Sequence, residues 1–193
     1  MASPRRTLVP ARDDLSLAFV NTRYWRGRDW PTETLNAPGD LVAWWRGETG
    51  EGLPVLDSAL FAAAMALREC LHRHFAARAQ QDTPAAADIA ALNAALAEVP
   101  ARHSLAWDKD GLGWAVTAAP SWTAARAVLL WSAADLLTGP RRARVRECHN
   151  PDCRYLFLDA SKAGTRRWCD MSSCGNRAKA HRHYQRRRAA EPS

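Results

Sequence analysis

The sequence contains no hydrophobic run that could cross a membrane, and it lacks the short motifs that mark nucleotide-binding or hydrolytic enzymes. No window approaches the roughly 18 consecutive apolar residues that a spanning helix requires. A glycine-rich phosphate loop, a His-Glu-x-x-His motif and a Gly-x-Ser-x-Gly nucleophile elbow are all missing. We therefore expect no membrane association and no enzymatic activity.

A secretory signal is also missing, and cysteine is scarce. The charged start, Met1 to Arg6, is not followed by an apolar stretch, so we expect a cytoplasmic protein. Only five cysteines occur in 193 residues. In a reducing compartment, closely spaced cysteines favour a bound metal over disulfides.

Positive charge is concentrated at one end of the chain. The formal net charge is +7, but residues 1–140 carry 13 basic and 15 acidic side chains, a net charge of −2. Residues 141–193 carry 14 basic and 5 acidic side chains, a net charge of +9. This asymmetry is expected when one small module meets a polyanion and the rest of the protein does not.

Residues 13–140 are predicted to form a mainly helical domain. Apolar side chains recur there at three- or four-residue spacing, which is typical of helices with one buried face. Capping residues and prolines then predict where helices begin. The predicted starts are Pro38-Gly39-Asp40, Asp57, Thr83-Pro84 and Ser121, and Gly139-Pro140 ends the last helix.

Two other segments of this domain have a different pattern. Alternating apolar residues between Leu105 and Val116 predict a β-hairpin with its turn at Asp108 to Gly111. The apolar segment 15–22 fits either a strand or a helix. Several tryptophans could line a pocket for a small-molecule effector, although core packing is the commoner reason for their spacing: Trp44, Trp45, Trp107, Trp114, Trp122 and Trp131.

The predicted helix that starts at Asp57 carries three further candidates for chemistry. His72 and His74 lie near Glu69 and could form an acid–base cluster, but exposed helix residues are the simpler interpretation. Cys70 lies between helical neighbours, and we expect a buried, inert thiol there.

Four cysteines in the last quarter of the chain form two close pairs. Each pair has four intervening residues, and fifteen residues separate the pairs. This spacing suits one tetrahedral Zn²⁺, because each pair can hold the metal from one short turn. Substitution of a thiolate by His149, His181 or His183 is the less favoured ligand set. The predicted ligands are Cys148, Cys153, Cys169 and Cys174.

The sequence around these cysteines predicts a small finger that ends in a basic helix. Residues 154–159 read as a strand, residues 161–164 as a turn and residues 165–168 as the returning strand. The segment that bears the cysteines is too short to bury a core of its own, so the metal must supply the missing stability. Asn176 is a good residue for the start of the final helix.

Several motifs of this region resemble the CGNR zinc-finger family. They are Cys-x4-Cys, Leu156-Phe157-Leu158-Asp159, Arg167-Trp168-Cys169 and Cys174-Gly175-Asn176-Arg177. Proteins of that family usually pair the finger with an N-terminal ABATE domain, and residues 17–22 are similar to the opening motif of that domain. The resemblance implies a stress-related bacterial transcription regulator with one structural zinc. It also implies an α+β fold: a helical ABATE-type domain over 13–140, then a treble-clef-like or ribbon-like finger over 141–190.

Eight basic residues are predicted to contact nucleic acid. Their density on the finger and the final helix could produce one positive surface for phosphates, although a solvated tail is the simpler alternative. Arg177 could instead pair with Asp170 or a knuckle carbonyl. The predicted contacts are Arg166, Arg167, Arg177, Lys179, Arg182, Arg186, Arg187 and Arg188.

The leading functional hypothesis is a nucleoid-associated regulator whose finger grips DNA while the N-terminal domain senses an effector or forms a homodimer. A zinc-finger protein that binds RNA or the ribosome is the first alternative. A module that binds an acidic protein is the second. An enzyme is least favoured, because four cysteines leave no open coordination position on zinc.

Overall fold

The computed structural model describes residues 7–8, 14–102, 104–108, 111–116, 120–180 and 184. Five α-helices precede the cysteine region, and the strands in this described part of the chain are short and antiparallel. None of the helices described is long and apolar enough to cross a bilayer. The predicted α+β class is confirmed. The helices are α1 (Leu15–Val20), α2 (Pro38–Thr49), α3 (Ser58–Gln80), α4 (Ala86–Ala97) and α5 (Trp122–Thr138).

Two helix starts match the predicted caps. The Asp57 side chain accepts a hydrogen bond from the Leu60 amide at 2.8 Å and caps α3. Ser121 caps α5 through the Ala124 amide at 3.2 Å. Each side-chain oxygen satisfies one of the amides that the first helical turn leaves without a partner.

At the other two starts, the residue predicted to cap the helix does not occupy the cap position. Helix α2 begins at Pro38, and Asp40 lies inside its first turn, where it accepts from the amides of Asn36 and Ala37. Helix α4 begins at Ala86 rather than at Thr83-Pro84. In both cases a residue that can cap a helix lies near the start without occupying the cap position itself.

Helix α5 lies at the centre of the main core. Leu129 and Leu130 are fully buried, and α5 contacts both α1 and α3. Phe19 from α1 and Phe75 from α3 are also fully buried in this core. The segment 15–22, which fitted a strand or a helix, contains α1, and five of the six residues of this helix are buried.

The predicted hairpin is confirmed with a defined register. Strands β4 (Leu105–Asp108) and β5 (Gly111–Val116) are antiparallel, with Leu105 opposite Trp114 and Trp107 opposite Leu112. Strand β1 (Thr7–Leu8) pairs with the other edge of β5. A separate pair joins β2 (Arg23–Tyr24) to β3 (Thr32–Glu33).

The tryptophans separate into core and surface residues. Trp45 and Trp122 are buried, whereas Trp107 is 77% exposed. Core packing therefore explains part of the set, and the hairpin carries indoles on its open face.

The hairpin predicted within the finger is wrong in its partner strand. Strand β7 (Leu156–Leu158) pairs with β6 (Val145–Glu147), which precedes the first cysteine. Residues 165–168 form no strand and follow an irregular path. Because β6 and β7 flank the first cysteine pair, that pair lies at the closed end of the hairpin.

Strand β7 joins the helical core to the cysteine cluster. Leu156 packs with Val145 in the main core, whereas Phe157 packs with the cysteines. Successive side chains of a strand point to opposite faces, so the short strand β7 contributes one side chain to the helical core and the next to the cysteine cluster. Helix α3 contacts both strands of this hairpin.

Candidate zinc centre and nucleic-acid surface

The first cysteine pair is held by a tight turn between β6 and β7. This turn, residues 148–154, is called the knuckle. The Cys148 amide donates to the Tyr155 carbonyl at 2.9 Å, and the Cys153 amide donates to the Asn150 carbonyl at 2.9 Å. The Asn150 side-chain oxygen accepts from the Asp152 amide at 3.1 Å. Arg154 closes the turn with a φ of +50°, an uncommon conformation for a residue with a side chain. Backbone hydrogen bonds thus hold both cysteines of this pair in position.

The second pair brackets a short helical turn at the start of the final helix. Asp170 follows Cys169 and caps this turn by accepting from the Ser173 amide at 2.8 Å. A π-helical turn spans Met171–Gly175 and continues as α-helix over residues 176–180. A Cβ on Gly175 would lie 2.6 Å from the Met171 sulfur, so this close turn favours glycine.

The four sulfurs converge on one point. Every pair of Sγ atoms among the four predicted ligands lies within 4.8 Å. Two measured separations, Cys153 to Cys169 and Cys169 to Cys174, are both 3.7 Å. A tetrahedron with zinc–sulfur bonds of about 2.3 Å has sulfur–sulfur edges of about 3.8 Å. All five cysteines of the chain are free thiols, and Cys70 is not part of this cluster.

The electrostatics of the cluster also fit a bound cation. Hydrogen bonds from the thiols of Cys153 and Cys169 lower the pKa of Cys148 to about 2. The same hydrogen bonds raise the pKa of Cys153 to about 12 and raise that of Cys169 well above its usual range. Among Cys148, Cys153 and Cys169, these hydrogen bonds therefore favour a single thiolate when no metal is bound. A divalent ion is what allows all four to ionise together, as zinc coordination requires.

One neighbouring amide points at a ligand sulfur. The Asn150 side-chain nitrogen donates to the Cys174 sulfur at 3.6 Å, and Asn150 is only 9% exposed. A hydrogen bond of this kind orients a metal ligand and spreads its negative charge. Asn150 therefore both shapes the knuckle and supports the ligand set.

The cluster is enclosed by aromatic and basic side chains from the finger and from the N-terminal region. Trp25, Tyr155, Phe157 and Trp168 pack against the cysteines. Arg166 lies over the Phe157 ring at 4.8 Å and donates to the backbone carbonyls of Trp168 and Cys169. The guanidinium of Arg166 is thus committed to holding the second cysteine pair.

The backbone of the N-terminal region makes hydrogen bonds with the backbone of the knuckle. The Arg26 amide donates to the Cys153 carbonyl at 3.3 Å, and the Gly27 amide donates to the Asp152 carbonyl at 3.1 Å. The approach is so close that a Cβ on Gly27 would lie 1.7 Å from the Pro151 carbonyl oxygen. Glycine is therefore required at position 27.

A network of ion pairs holds this gripping segment in place. Arg26 makes two hydrogen bonds with the Glu69 carboxylate, at 2.7 Å and 3.2 Å. Arg68, which is only 2% exposed, pairs with Glu33 through both carboxylate oxygens and also contacts Glu69. Burial opposes ionisation of Glu69, but the hydrogen bond and charge of Arg26, with help from Arg68 and Arg23, lower its pKa to about 2. Arginine forks suit such partly buried carboxylates.

The predicted nucleic-acid residues have different roles where the structure describes them. Arg167, Arg177 and Lys179 are exposed on the finger. Arg167 donates to the His149 ring at 3.2 Å, and Arg177 lies over the Trp25 ring at 4.9 Å rather than beside Asp170. The remaining predicted contacts, Arg182, Arg186, Arg187 and Arg188, lie outside the described residues, as do His181 and His183.

A cleft opens between the knuckle and the final helix. Its volume is about 480 Å³, and Arg167, Trp168 and Arg177 are among its lining residues. Two guanidinium groups and an indole are the side chains that meet phosphates and bases in nucleic-acid-binding proteins. Asp152, His149 and Asn150 are the other polar lining residues with charged, imidazole or amide side chains.

The histidines of α3 are not the exposed residues that we expected. His74 is 4% exposed, and its Nδ1 donates to the Cys70 carbonyl at 2.9 Å. Burial, with the nearby charge of Arg26, lowers the pKa of His72 to about 4, so this ring is neutral at pH 7. Helix α3 packs against the finger hairpin. The spacing of apolar residues within α3 does not predict this contact.

Together, the helical region and the enclosed four-sulfur site define a zinc-finger protein with one structural zinc ion. Residues 13–140 match the ABATE family model, described as "Putative stress-induced transcription regulator", and residues 144–187 match the CGNR zinc-finger model. The chain therefore belongs to the ABATE family and carries a C-terminal CGNR zinc finger. Neither model describes an enzyme family. A search of curated proteins found no match to this chain.

Sequence reasoning found the four cysteines but missed their supporting residues. Asn150, Trp25 and Gly27 have no motif that separates them from ordinary loop residues. The one available signal for Gly27 was its place between two arginines in a segment rich in tryptophan, and that signal does not indicate a zinc site.

Proposed function

We propose that this protein is a zinc-dependent DNA-binding transcription regulator. The finger contacts DNA, and the helical region over residues 13–140 senses an effector or forms a homodimer. The observation that carries the proposal is the enclosed four-cysteine site beside exposed Arg167, Arg177 and Lys179. The proposed site of action is the cytoplasm, on the nucleoid.

The zinc in this proposal is structural and not catalytic. Four thiolates fill the tetrahedral positions, so no position is left for a reactive water. The role of the metal is to hold the knuckle and the final helix in one arrangement, with the arginines on its outer surface. The saturated ligand set and the regulator description of the matched family support a non-enzymatic function.

Electrostatics supply the affinity for DNA. Neutralisation of about five phosphates by basic side chains predicts a slope of log K against log salt near −4.5, at about −0.9 per contact. Five contacts are available if the described cations act with the basic residues that follow residue 180 in the sequence. Contacts to base edges must add any sequence preference.

The test is selection of bound duplexes from a random DNA pool, with the zinc-loaded full chain and with chelator-treated protein. We expect enrichment of a sequence by the loaded protein and a loss of binding after zinc removal. Zinc-loaded protein that retains no duplex at low salt, or retention that is the same after chelation, would overturn the proposal.

RNA is a second candidate partner, because the cleft contains an aromatic ring. Trp168 lines a concave site in which an unpaired base could stack, and duplex DNA presents no free base face. Competition between a DNA duplex and a structured RNA with an unpaired loop distinguishes these partners. Preferential displacement of the duplex by the RNA would favour the second candidate.

A further inference from the structure

The N-terminal segment that grips the knuckle also presents an exposed cation next to the finger. Arg28 follows the two residues that donate backbone hydrogen bonds to the knuckle, and its side chain is exposed. Its guanidinium carbon lies 4.0 Å from the centre of the Trp25 ring. Because the Gly27 amide donates to the Asp152 carbonyl at 3.1 Å, the backbone next to Arg28 is held against the finger.

The Trp25 ring contacts both Arg28 and a cation of the finger. The guanidinium carbon of Arg177 lies 4.9 Å from the same ring centre, so one indole orders two arginines from opposite ends of the chain. Cation–π contacts of this kind hold a guanidinium plane without consuming its positive charge. Among the ion pairs found in the described part of the chain, none involves Arg28 or Arg177.

The backbone of Trp25 is strained, which indicates that surrounding contacts hold this residue in a functionally relevant position. Its φ is +56°, in the left-handed region, where a bulky residue is a conformational outlier. Such strain persists only when surrounding contacts enforce it, and it concentrates at functional sites. Here the enforcing contacts are the packing of Trp25 on the cysteine cluster and the neighbouring hydrogen bonds to the knuckle.

Arg177 also lines the cleft that contains Arg167 and Trp168. Arg167 and Arg177 thus line one cleft, which also contains Asp152, and Arg177 shares the Trp25 ring with Arg28. Two guanidinium groups held at one ring repel each other, and an anion that binds both relieves this repulsion. A nucleic-acid backbone provides such anions at regular spacing.

We propose that the nucleic-acid-binding surface extends beyond the zinc finger and includes Arg28 of the N-terminal region, which binds a backbone phosphate beside Arg177. This inference rests on the proposed nucleic-acid-binding function and names a contact outside the finger. Arg26, in contrast, is a positioning residue, because its guanidinium is bound to Glu69 and to backbone carbonyls of Val20 and Arg23.

The test compares Arg28→Ala, Arg28→Lys and the matched control Arg46→Ala in the zinc-loaded full chain. Arg46 is an exposed arginine on α2, so its loss removes the same charge. Fluorescence anisotropy with a labelled duplex of random sequence is measured over a range of salt concentrations. Zinc content and melting temperature are measured for each variant, so that a folding defect is recognised.

For Arg28→Ala we expect binding weaker by about three- to tenfold and a salt slope smaller by about 0.9. Arg28→Lys should retain the salt slope, because it keeps the charge, and Arg46→Ala should bind within about twofold of the wild type. Equal affinities and slopes for Arg28→Ala and Arg46→Ala, with wild-type binding intact, would overturn this inference alone. A wild-type protein that binds no nucleic acid would overturn the proposed function and this inference together.

Discussion

The side-chain amide of Asn21 makes two hydrogen bonds with the backbone of Leu156. Its Nδ2 donates to the Leu156 carbonyl at 2.7 Å, and its Oδ1 accepts from the Leu156 amide at 3.2 Å. Asn21 follows α1, and Leu156 is the first residue of β7, so this contact joins the N-terminal region to the finger hairpin. An amide that pairs in this way replaces a missing neighbouring strand.

Replacement of Asn21 by alanine should therefore destabilise the junction. The change leaves the amide and carbonyl of Leu156 without their partners, at a cost of about 1–3 kcal/mol. Urea denaturation of the zinc-loaded protein measures the loss. Asn93→Ala is the control, because Asn93 is exposed on α4, and it should change stability by no more than about 0.5 kcal/mol. Equal stability of the two variants would contradict a structural role for this contact.

Replacement of Cys153 by serine should abolish stoichiometric zinc binding. The substitution removes one of four thiolates from a site whose binding energy, about 10–16 kcal/mol in comparable fingers, is also folding energy for the segment. Metal analysis of purified protein should give one zinc per wild-type chain and a much lower content in the variant.

The control for this experiment is Cys70→Ala, because Cys70 is a buried thiol outside the cluster. Its zinc content should equal that of the wild type. Reduced zinc in Cys70→Ala, or full zinc in Cys153→Ser, would show that the ligand set is wrong.

Two glycine-to-alanine substitutions should change stability in opposite directions. Gly27→Ala places a Cβ against the Pro151 carbonyl and must separate the N-terminal segment from the knuckle. We expect a cost of about 1–3 kcal/mol for this overpacking. Gly47 lies inside α2 with open space around it, so Gly47→Ala should stabilise the protein by up to about 1 kcal/mol. Thermal denaturation of both variants provides the measurement, and a harmless Gly27→Ala would refute the close approach.

Acid should remove the contribution of Glu69 to stability. The pKa of Glu69 is about 2 in the folded protein, below its usual value of 4.5, so its ionised form stabilises the fold above pH 4.5. That contribution is lost as the pH falls from about 4.5 towards 2. Allowing for partial exposure of the side chain, we expect a loss of about 1–3 kcal/mol.

Comparison with Glu69→Gln isolates this effect. The variant cannot titrate at position 69, whereas protonation of the zinc thiolates is common to both proteins. The stability difference between wild type and variant should therefore shrink as the pH falls from 4.5 towards 2. A difference that is constant over this range would show that Glu69 is not held ionised by Arg26 and Arg68.

Local signals in the sequence predicted the features that depend on neighbouring residues. The cap at Asp57, the cap at Ser121 and the hairpin from Leu105 to Val116 were all found in this way. The convergence of the cysteines was predicted because zinc imposes the same geometry on many chains. In each case the relevant physics acts within a few residues or through one metal ion.

Features that depend on distant contacts could not be predicted in the same way. Residues 156–158 are apolar on both faces, so their pattern cannot tell which segment pairs with them, and the wrong partner was predicted. The burial of His74 depends on what packs against α3. The place of Gly27 at the knuckle depends on a contact between residues more than a hundred positions apart.

The hairpin that holds the first cysteine pair has a consequence for synthesis on the ribosome. Val145 and Leu156 complete the core of helices that are made much earlier, and Leu156 also provides the partner for Asn21. An emerging chain that ends near residue 140 therefore exposes an unfilled apolar site and an unsatisfied amide. The helical region cannot reach its final packing until most of the finger has left the ribosome. Zinc supply during translation then affects the maturation of the whole molecule and not of its last fifty residues alone.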